Sequence, residues 1–323
     1  MSSPPIDLPE AVRRKALALG EVGEAWLAEL ADVVAELERE WRIQVGPPIS
    51  GGSGGFVAEA LAADGTDAVL KIAIPDGLDG QGAFARELNT LLLADGRGYV
   101  QVLNVDEYRR AMLQERLGRS LVELQLPVES QIEIIAATLA RCWRRPMHAI
   151  ATRTGREQAR SVAEWSVRWW KELGRPCPAA TVEQAIGYAQ ARAGAFDRST
   201  AVLIHGDAHP ANVLEAVRNE GPYGEFKLID PDGMLSEPAH DLAIPLRNWS
   251  AELLAAPDPV QLGLKWCAQL GDTAGIEQDA IWQWAFLERV STGLYLSRLR
   301  DPHGAQLLSV ASAWTGHEPD RPQ

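Results

Sequence analysis

Apolar residues recur at helical spacing over residues 10–41, where Ala16, Leu19, Trp26, Leu30, Val33, Val34, Leu37 and Trp41 sit among acidic positions. That period predicts one or two amphipathic helices. The pattern then changes to alternation: a glycine cluster, Gly51 to Gly55, leads into a strand ending at Leu61, Ala63-Asp64-Gly65-Thr66 supplies a hairpin turn, and residues 68–74 return as a second strand. Residues 99–106 and 110–117 read as two further strands. Between the pairs, a helix over 81–93 carries Phe84, Leu88, Leu91 and Leu92 on one apolar side. From Val128 onward helical periods dominate. They place helices at 131–144, capped by Ser130 and buried through Ile132, Ile135, Leu139 and Cys142, and then at 160–173, 181–195, 249–266 and 279–300. Trp165, Trp169 and Trp170 are expected in the core, because their large apolar area rewards burial, with a ligand platform as the alternative. The tail from Thr315, rich in proline and charge, is expected to fray. The division is therefore α+β: N-terminal helices plus a β-rich segment over 1–117, then a helical segment over 118–323.

Lys71 stands out within the returning strand. Its neighbours are Val, Leu and Ile, so its ammonium is costly there unless it reaches water or an anion. A snorkelling lysine on an edge strand is the plain alternative.

Two runs in the C-terminal half carry candidate chemistry: Val202-Leu203-Ile204-His205-Gly206-Asp207-Ala208-His209-Pro210-Ala211-Asn212-Val213-Leu214, and Phe226-Lys227-Leu228-Ile229-Asp230-Pro231-Asp232. Both join apolar β-type stretches to polar loops, so Asp207, Asn212 and Asp230 fall at strand ends where side chains can converge. Phosphoryl transfer needs such a set: an acid to orient the attacking hydroxyl, and an amide with a carboxylate to hold Mg²⁺. The interval from Asp207 to Asn212 matches that between the catalytic-loop Asp and metal-binding Asn of protein kinases. An ordinary polar loop using its Asx residues for turns is one alternative. A hydrolytic metal site is another, since His205, Asp207 and His209 alternate along the chain; the downstream Asn212 and Asp230 favour Mg²⁺ and nucleotide.

The pattern His-Gly-Asp-x-His-Pro-x-Asn, followed by an apolar pair and Asp, resembles the aminoglycoside phosphotransferase family. The run 112–117 and the sequence Pro238-Ala239-His240-Asp241-Leu242 resemble most closely its streptomycin 6-phosphotransferase and hydroxyurea phosphotransferase branch, over most of residues 40–300. The resemblance implies a bilobal, protein-kinase-like fold with ATP or GTP and Mg²⁺ as cofactors. It implies Asp207 as the acceptor-orienting acid and Asn212 with Asp230 as metal ligands, Asp232 assisting through water or facing solvent. Lys71 would grip the nucleotide phosphates, with Glu87 as its partner, and Ser53 and Gly54 of the glycine loop would touch phosphate, although that loop departs from the usual kinase glycine spacing. The carbonyl of Glu115 and the amide of Leu117 would bind adenine. His205 would bond backbone near Asp241, whose carboxylate steadies the loop; His209 would either donate to the transferred phosphate or pack under the metal loop. One departure is Ser236-Glu237-Pro238, where the family carries Gly-Asp-Pro before the Asp-Leu pair.

Composition narrows the partners. The balance of 31 Lys+Arg against 44 Asp+Glu gives −13, which disfavours nucleic acid or an anionic membrane surface and suits a cationic small-molecule acceptor. Glu237 and Glu288 are candidate partners for that cation. Only Pro231 to His240 separates Asp230 from Asp241, too short for a peptide-docking segment. The expected activity is O-phosphorylation of a small molecule, of the streptomycin type; a metabolic kinase for an amino alcohol, sugar or nucleoside and a non-catalytic nucleotide scaffold are the alternatives. The three cysteines lack metal spacing, and neither a signal peptide nor a membrane span appears, so a cytoplasmic protein is expected.

Overall fold

The computed structural model describes residues 6–49, 54–76, 82–145, 153–217 and 226–319. It divides into two compact units, Met1–Gly118 and Arg119–Gln323. In the first, helices α1 (Glu10–Leu17) and α2 (Glu21–Trp41) precede the strands β1 (Ile43–Pro48), β2 (Gly55–Ala62) and β3 (Asp67–Ala73). Helix α3 (Ala83–Ala94) is followed by β4 (Val102–Asp106) and β5 (Ala111–Glu115), and the strands pair in the order β1-β2-β3-β5-β4. Trp26, Leu30, Val34 and Leu37 of α2 share one apolar core with Phe56, Ala58 and Ala60 of β2 and Leu70 and Ile72 of β3. Because a strand has period two, this packing turns Lys71 to the opposite face. Strand β2 begins at Gly55, where a Cβ would come within 2.3 Å of the Ile72 carbonyl oxygen; only glycine lets the two backbones pair that closely.

The second unit carries α4 (Leu121–Leu124), α5 (Val128–Cys142), α6 (Gly155–Glu172) and α7 (Ala179–Ala195), then the short strands β6 (Val202–Ile204), β7 (Val213–Glu215), β8 (Phe226–Leu228) and β9 (Met234–Ser236). Strand β6 pairs with β9 and β7 with β8, both antiparallel. These two ladders bring the loop after β6 and the loop after β8 together. Helices α8 (Pro238–Ala243), α9 (Ser250–Ala255), α10 (Pro259–Ala274), α11 (Gln278–Arg298) and α12 (His303–Trp314) complete the unit, with a 3-10 segment, Ile244–Trp249, between α8 and α9. Helix α11 is its axis, buried at Ile281, Trp282, Trp284, Phe286, Leu287, Val290 and Leu294. Arg289 is wholly buried beside them, donating to Ser250 Oγ at 2.8 Å and to the Leu246 carbonyl, with its guanidinium 4.7 Å from the Trp314 ring centroid. Burial pushes that guanidinium down to about 9.

Several expectations change. Ser130 lies inside α5, which starts three residues after Gln125 with Pro127 in the capping position. The helix expected over 249–266 is broken: the Asp258 carboxylate accepts from Val260 N–H and Gln261 N–H, and Pro259 starts α10. Helix α12 is an additional element beyond those the helical periods place. The tail is anchored as far as His317, through Thr181 Oγ1 to Thr315 Oγ1 at 2.9 Å, Gly316 N–H to Gln184 at 2.8 Å and Tyr188 to the His317 carbonyl. Most consequentially, Trp165, Trp169 and Trp170 are not core: Ala159, Val162 and Ser166 form the buried stripe of α6, and the tryptophans lie half-buried. Cys142, Cys177 and Cys267 are buried thiols, pushed up by burial to about 12, 11 and 12. Among the described residues no helix is long and apolar enough to cross a membrane.

Candidate active site

In the first unit, Lys71 Nζ lies 2.6 Å from Glu87 Oε1, and both residues are buried. The lysine sits on a central strand, flanked by Val57 and Met112, so the edge-strand reading fails. Helix α3 supplies the carboxylate because Phe84, Leu88 and Leu91 seat the same helix and leave Glu87 turned inward. A buried ion pair adds little stability over an apolar pair of the same size, so its presence points to chemistry rather than to folding. Gly54 lies just before β2; Ser53 falls outside the described residues. Glu115 ends β5, its N–H donating to the Gln101 carbonyl and its carboxylate accepting from Gln101 N–H at 2.8 Å, and Leu117 follows as a buried residue.

In the second unit the loop after β6 is organised around Asp241. This wholly buried carboxylate accepts from His205 N–H and Gly206 N–H, each at 2.8 Å, and from Trp143 Nε1–H at 3.0 Å, so three donors compensate its burial. The His205 ring is tied down at both nitrogens. Nδ1 accepts from Asp207 N–H at 3.0 Å, so Nε2 carries the proton and donates to the Ile229 carbonyl at 2.8 Å. Neither nitrogen is left for a metal, which removes the alternating His-Asp-His site. Gly206 makes the bend with φ +85°, and a Cβ there would meet Asp232 Cβ at 3.0 Å.

Asn212 closes a short 3-10 turn, Pro210–Asn212. Its Nδ2 donates to the Asp207 carbonyl at 3.0 Å, which turns Oδ1 away as an acceptor, and its own carbonyl accepts from Ile229 N–H at 3.0 Å. That bond sets Asp230 one residue from Asn212's partner. Asp230 has φ +56°, a left-handed conformation uncommon outside glycine and tolerated by Asp, while Asp232 is exposed beyond it. Such outliers persist where the surroundings over-determine them, and they concentrate at functional sites. The Asn212 Oδ1 and the Asp230 carboxylate are hard oxygen donors, a set that fits Mg²⁺ or Ca²⁺ and not a thiophilic metal.

Asp207 is held by a residue the sequence does not single out. Arg247, from the 3-10 segment after α8, donates through Nη2 to Asp207 Oδ1 at 2.8 Å, and through Nη1 to Glu288 Oε2 at 3.1 Å and Thr292 Oγ1 at 3.2 Å, both on α11. Asp207 Oδ2 lies 3.5 Å from His209 Nε2, while His209 Nδ1 accepts from Ala211 N–H at 3.2 Å. Burial holds His209 below its ordinary value against the opposing pull of Asp207, so the ring is neutral at pH 7 with its proton on Nε2. One carboxylate oxygen is thus fixed by a guanidinium, and the other faces a single weak donor. No sequence signal marked Arg247, whose partners lie forty or more positions away.

The same network corrects the assignment of Glu288 and Glu237 to an acceptor cation. Glu288 is buried, with His240 Nε2 at 3.2 Å and Arg247 as internal partners, and His240 in turn stacks on Trp284 at 3.7 Å and bonds Ser236 Oγ at 3.3 Å. Glu237 pairs with Arg192 at 3.2 Å and accepts from Trp284 Nε1–H at 2.7 Å. Both carboxylates are engaged within the protein. Burial alone would raise Glu288, but His240 and Arg247 outweigh it and hold the group below its ordinary value of 4.5. A depressed folded-state value contributes stability above 4.5 that is lost as pH falls through the lower folded value. Glu288→Gln is therefore expected to lower stability by on the order of 3 kcal/mol at neutral pH and to flatten the acid limb of the stability curve. Urea midpoints measured from pH 7 downward test this; parallel acid limbs for the two proteins would refute it.

The chain is similar to known proteins along most of its length. Residues 40–298 match the aminoglycoside/hydroxyurea antibiotic resistance kinases. The chain is 26% identical over 319 residues to a streptomycin 6-kinase of Streptomyces glaucescens, covering 97% of this chain and 98% of that one. It is 29% identical over 239 residues to a hydroxyurea phosphotransferase of Kitasatospora aureofaciens, covering 71% and 64%. Among solved structures, a putative fructosamine-3-kinase from Thermobifida fusca YX-ER1 superimposes with a TM-score of 0.56 at 17% identity, covering 87% of this chain and 97% of that one. Choline kinase from Cryptosporidium parvum Iowa II gives 0.58 at 8% identity, covering 88% and 94%. These two share the kinase-like α+β fold. With the match to residues 40–298, the chain belongs to the aminoglycoside/hydroxyurea antibiotic resistance kinase family and is a phosphotransferase with a hydroxyl acceptor.

Proposed function

We propose that this chain transfers the γ-phosphoryl group of ATP to a hydroxyl of a streptomycin-type aminoglycoside, at the 6-position named for its relatives. The observation that carries the reading is the Asp207 carboxylate, clamped at Oδ1 by Arg247, five residues ahead of an Asn212 tethered to the same loop. In this reading Asp207 Oδ2 accepts the acceptor's O–H and aims its oxygen for in-line attack. Orientation is its larger contribution, because a loose phosphoryl-transfer transition state demands little early proton transfer. Arg247 fixes the carboxylate in rotation through its bond to Oδ1. His209, neutral with its proton on Nε2, lies 3.5 Å from Oδ2 on the same side.

Asn212 Oδ1 and Asp230 would hold Mg²⁺, which neutralises charge developing on the transferred phosphate when bound. Lys71, oriented by Glu87, would bind the nucleotide phosphates together with Ser53 and Gly54, and the Glu115 carbonyl and Leu117 amide would receive adenine. His205 and Asp241 act through the loop backbone as positioning residues. The acidic balance favours a cationic acceptor.

The test is an ATP-consumption assay of the purified chain with streptomycin, followed by phosphorus NMR to locate the new ester. A phosphate on the streptidine ring, with raised streptomycin tolerance in a sensitive bacterium, is the expected result. Turnover of an amino alcohol, sugar or nucleoside in place of streptomycin would transfer the reading to a metabolic kinase.

A further inference from the structure

The geometry points to an aromatic platform, formed by Tyr295 of α11 with Trp169 and Trp165 of α6, as the subsite that takes the cationic part of the acceptor. The inference rests on the proposed function for the existence of a cationic acceptor, and names the surface that recognises it. Helix α11 advances 100° per residue, so Glu288, Thr292 and Tyr295 fall within about 60° of one another on a single face. That face meets Arg247 at Glu288 and Thr292, and Arg247 carries Asp207 on its other nitrogen. Tyr295 is one turn beyond Thr292, about 5 Å farther along the same face. Exposure rises in that direction, from a buried Glu288 through a half-buried Thr292 to Tyr295 at 46%. The face therefore opens from the reacting carboxylate toward solvent, and the first large side chain at its mouth is aromatic.

Tyr295 does not stand alone. Its ring lies 6.1 Å from Trp169, which in turn lies 4.1 Å from Trp165. The cluster already binds a guanidinium: Arg298 sits 4.6 Å from the Trp169 centroid. Aromatic faces attract such planar cations through their quadrupole, and the attraction grows when water is excluded. The carboxylates that the sequence offers an acceptor cation, Glu237 and Glu288, are committed to Arg192, Trp284, His240 and Arg247. A guanidinium-bearing acceptor whose hydroxyl sits at Asp207 would meet the π-face of Tyr295, with Trp165 extending the wall. This also accounts for two tryptophans of α6, Trp165 and Trp169, that are kept half-exposed at the cost of burial.

Calorimetric titration of the full chain, held with Mg²⁺ and a non-hydrolysable ATP analogue, with dihydrostreptomycin tests the platform without requiring turnover. Tyr295 is exposed enough for substitution to leave folding intact. Tyr295→Ala is expected to weaken dihydrostreptomycin binding about 5- to 30-fold, the range of a cation–π contact, with nucleotide affinity unchanged; Tyr295→Phe should stay within about twofold of wild type. Equal affinity in wild type and Tyr295→Ala, or no binding to wild type, would overturn the inference. The two proposals fail separately. Loss of binding in Tyr295→Ala without phosphorylation by wild type leaves the platform standing and removes the activity, whereas phosphorylated streptomycin with an indifferent Tyr295→Ala does the reverse.

Discussion

Asp207→Asn is expected to lower turnover by about 10² to 10⁴ while leaving nucleotide affinity close to wild type. The amide can still present an oxygen to Arg247 Nη2, which now holds Asp207 Oδ1 at 2.8 Å. Its NH₂ then occupies the Oδ2 position, so a donor replaces the acceptor that the incoming hydroxyl needs. The geometry survives and the polarity is inverted. The proposed nucleotide and metal ligands, Lys71, Asn212 and Asp230, are not altered by the substitution. Single-turnover kinetics with saturating nucleotide separate the two quantities, and a variant that transfers phosphate at the wild-type rate would remove Asp207 from the reaction.

Asp230→Ala is expected to abolish Mg²⁺-dependent nucleotide binding. A hard divalent cation needs at least one carboxylate beside the Asn212 amide to offset its dehydration. Alanine also tolerates poorly the φ of +56° that Asp230 adopts, so the variant loses some loop stability as well. Asp230→Asn separates the effects, since Asn accepts left-handed backbone: it should keep the wild-type unfolding midpoint and still lose Mg²⁺-nucleotide affinity. Calorimetry that finds unchanged Mg²⁺-nucleotide affinity in the Asn variant would show that another group holds the metal.

The sequence by itself determined what depends on local spacing. Period two around Lys71 put a cation inside a strand, and the structure pairs it with Glu87 at 2.6 Å. The interval from Asp207 to Asn212 and the apolar runs on either side defined the loop, because a strand end and a Pro-led turn leave the chain few other conformations. Helical periods located most of the C-terminal helices to within a few residues. They failed at 249–266, where Asp258-Pro259 restarts the helix, and at α12.

Only tertiary structure decided which side chains face one another across the chain. Arg247 reaches Asp207 because α8 and the segment after it turn back over β6, and Glu288 is consumed by that arginine because α11 runs alongside. A glutamate on a helix reads from sequence as a solvated charge; its burial depends on a partner more than forty positions away. The tryptophans of α6 show the converse. Their area argued for the core, yet Ala159, Val162 and Ser166 occupy the buried stripe, because close helix packing selects small residues at the contact and leaves the large rings at its margin.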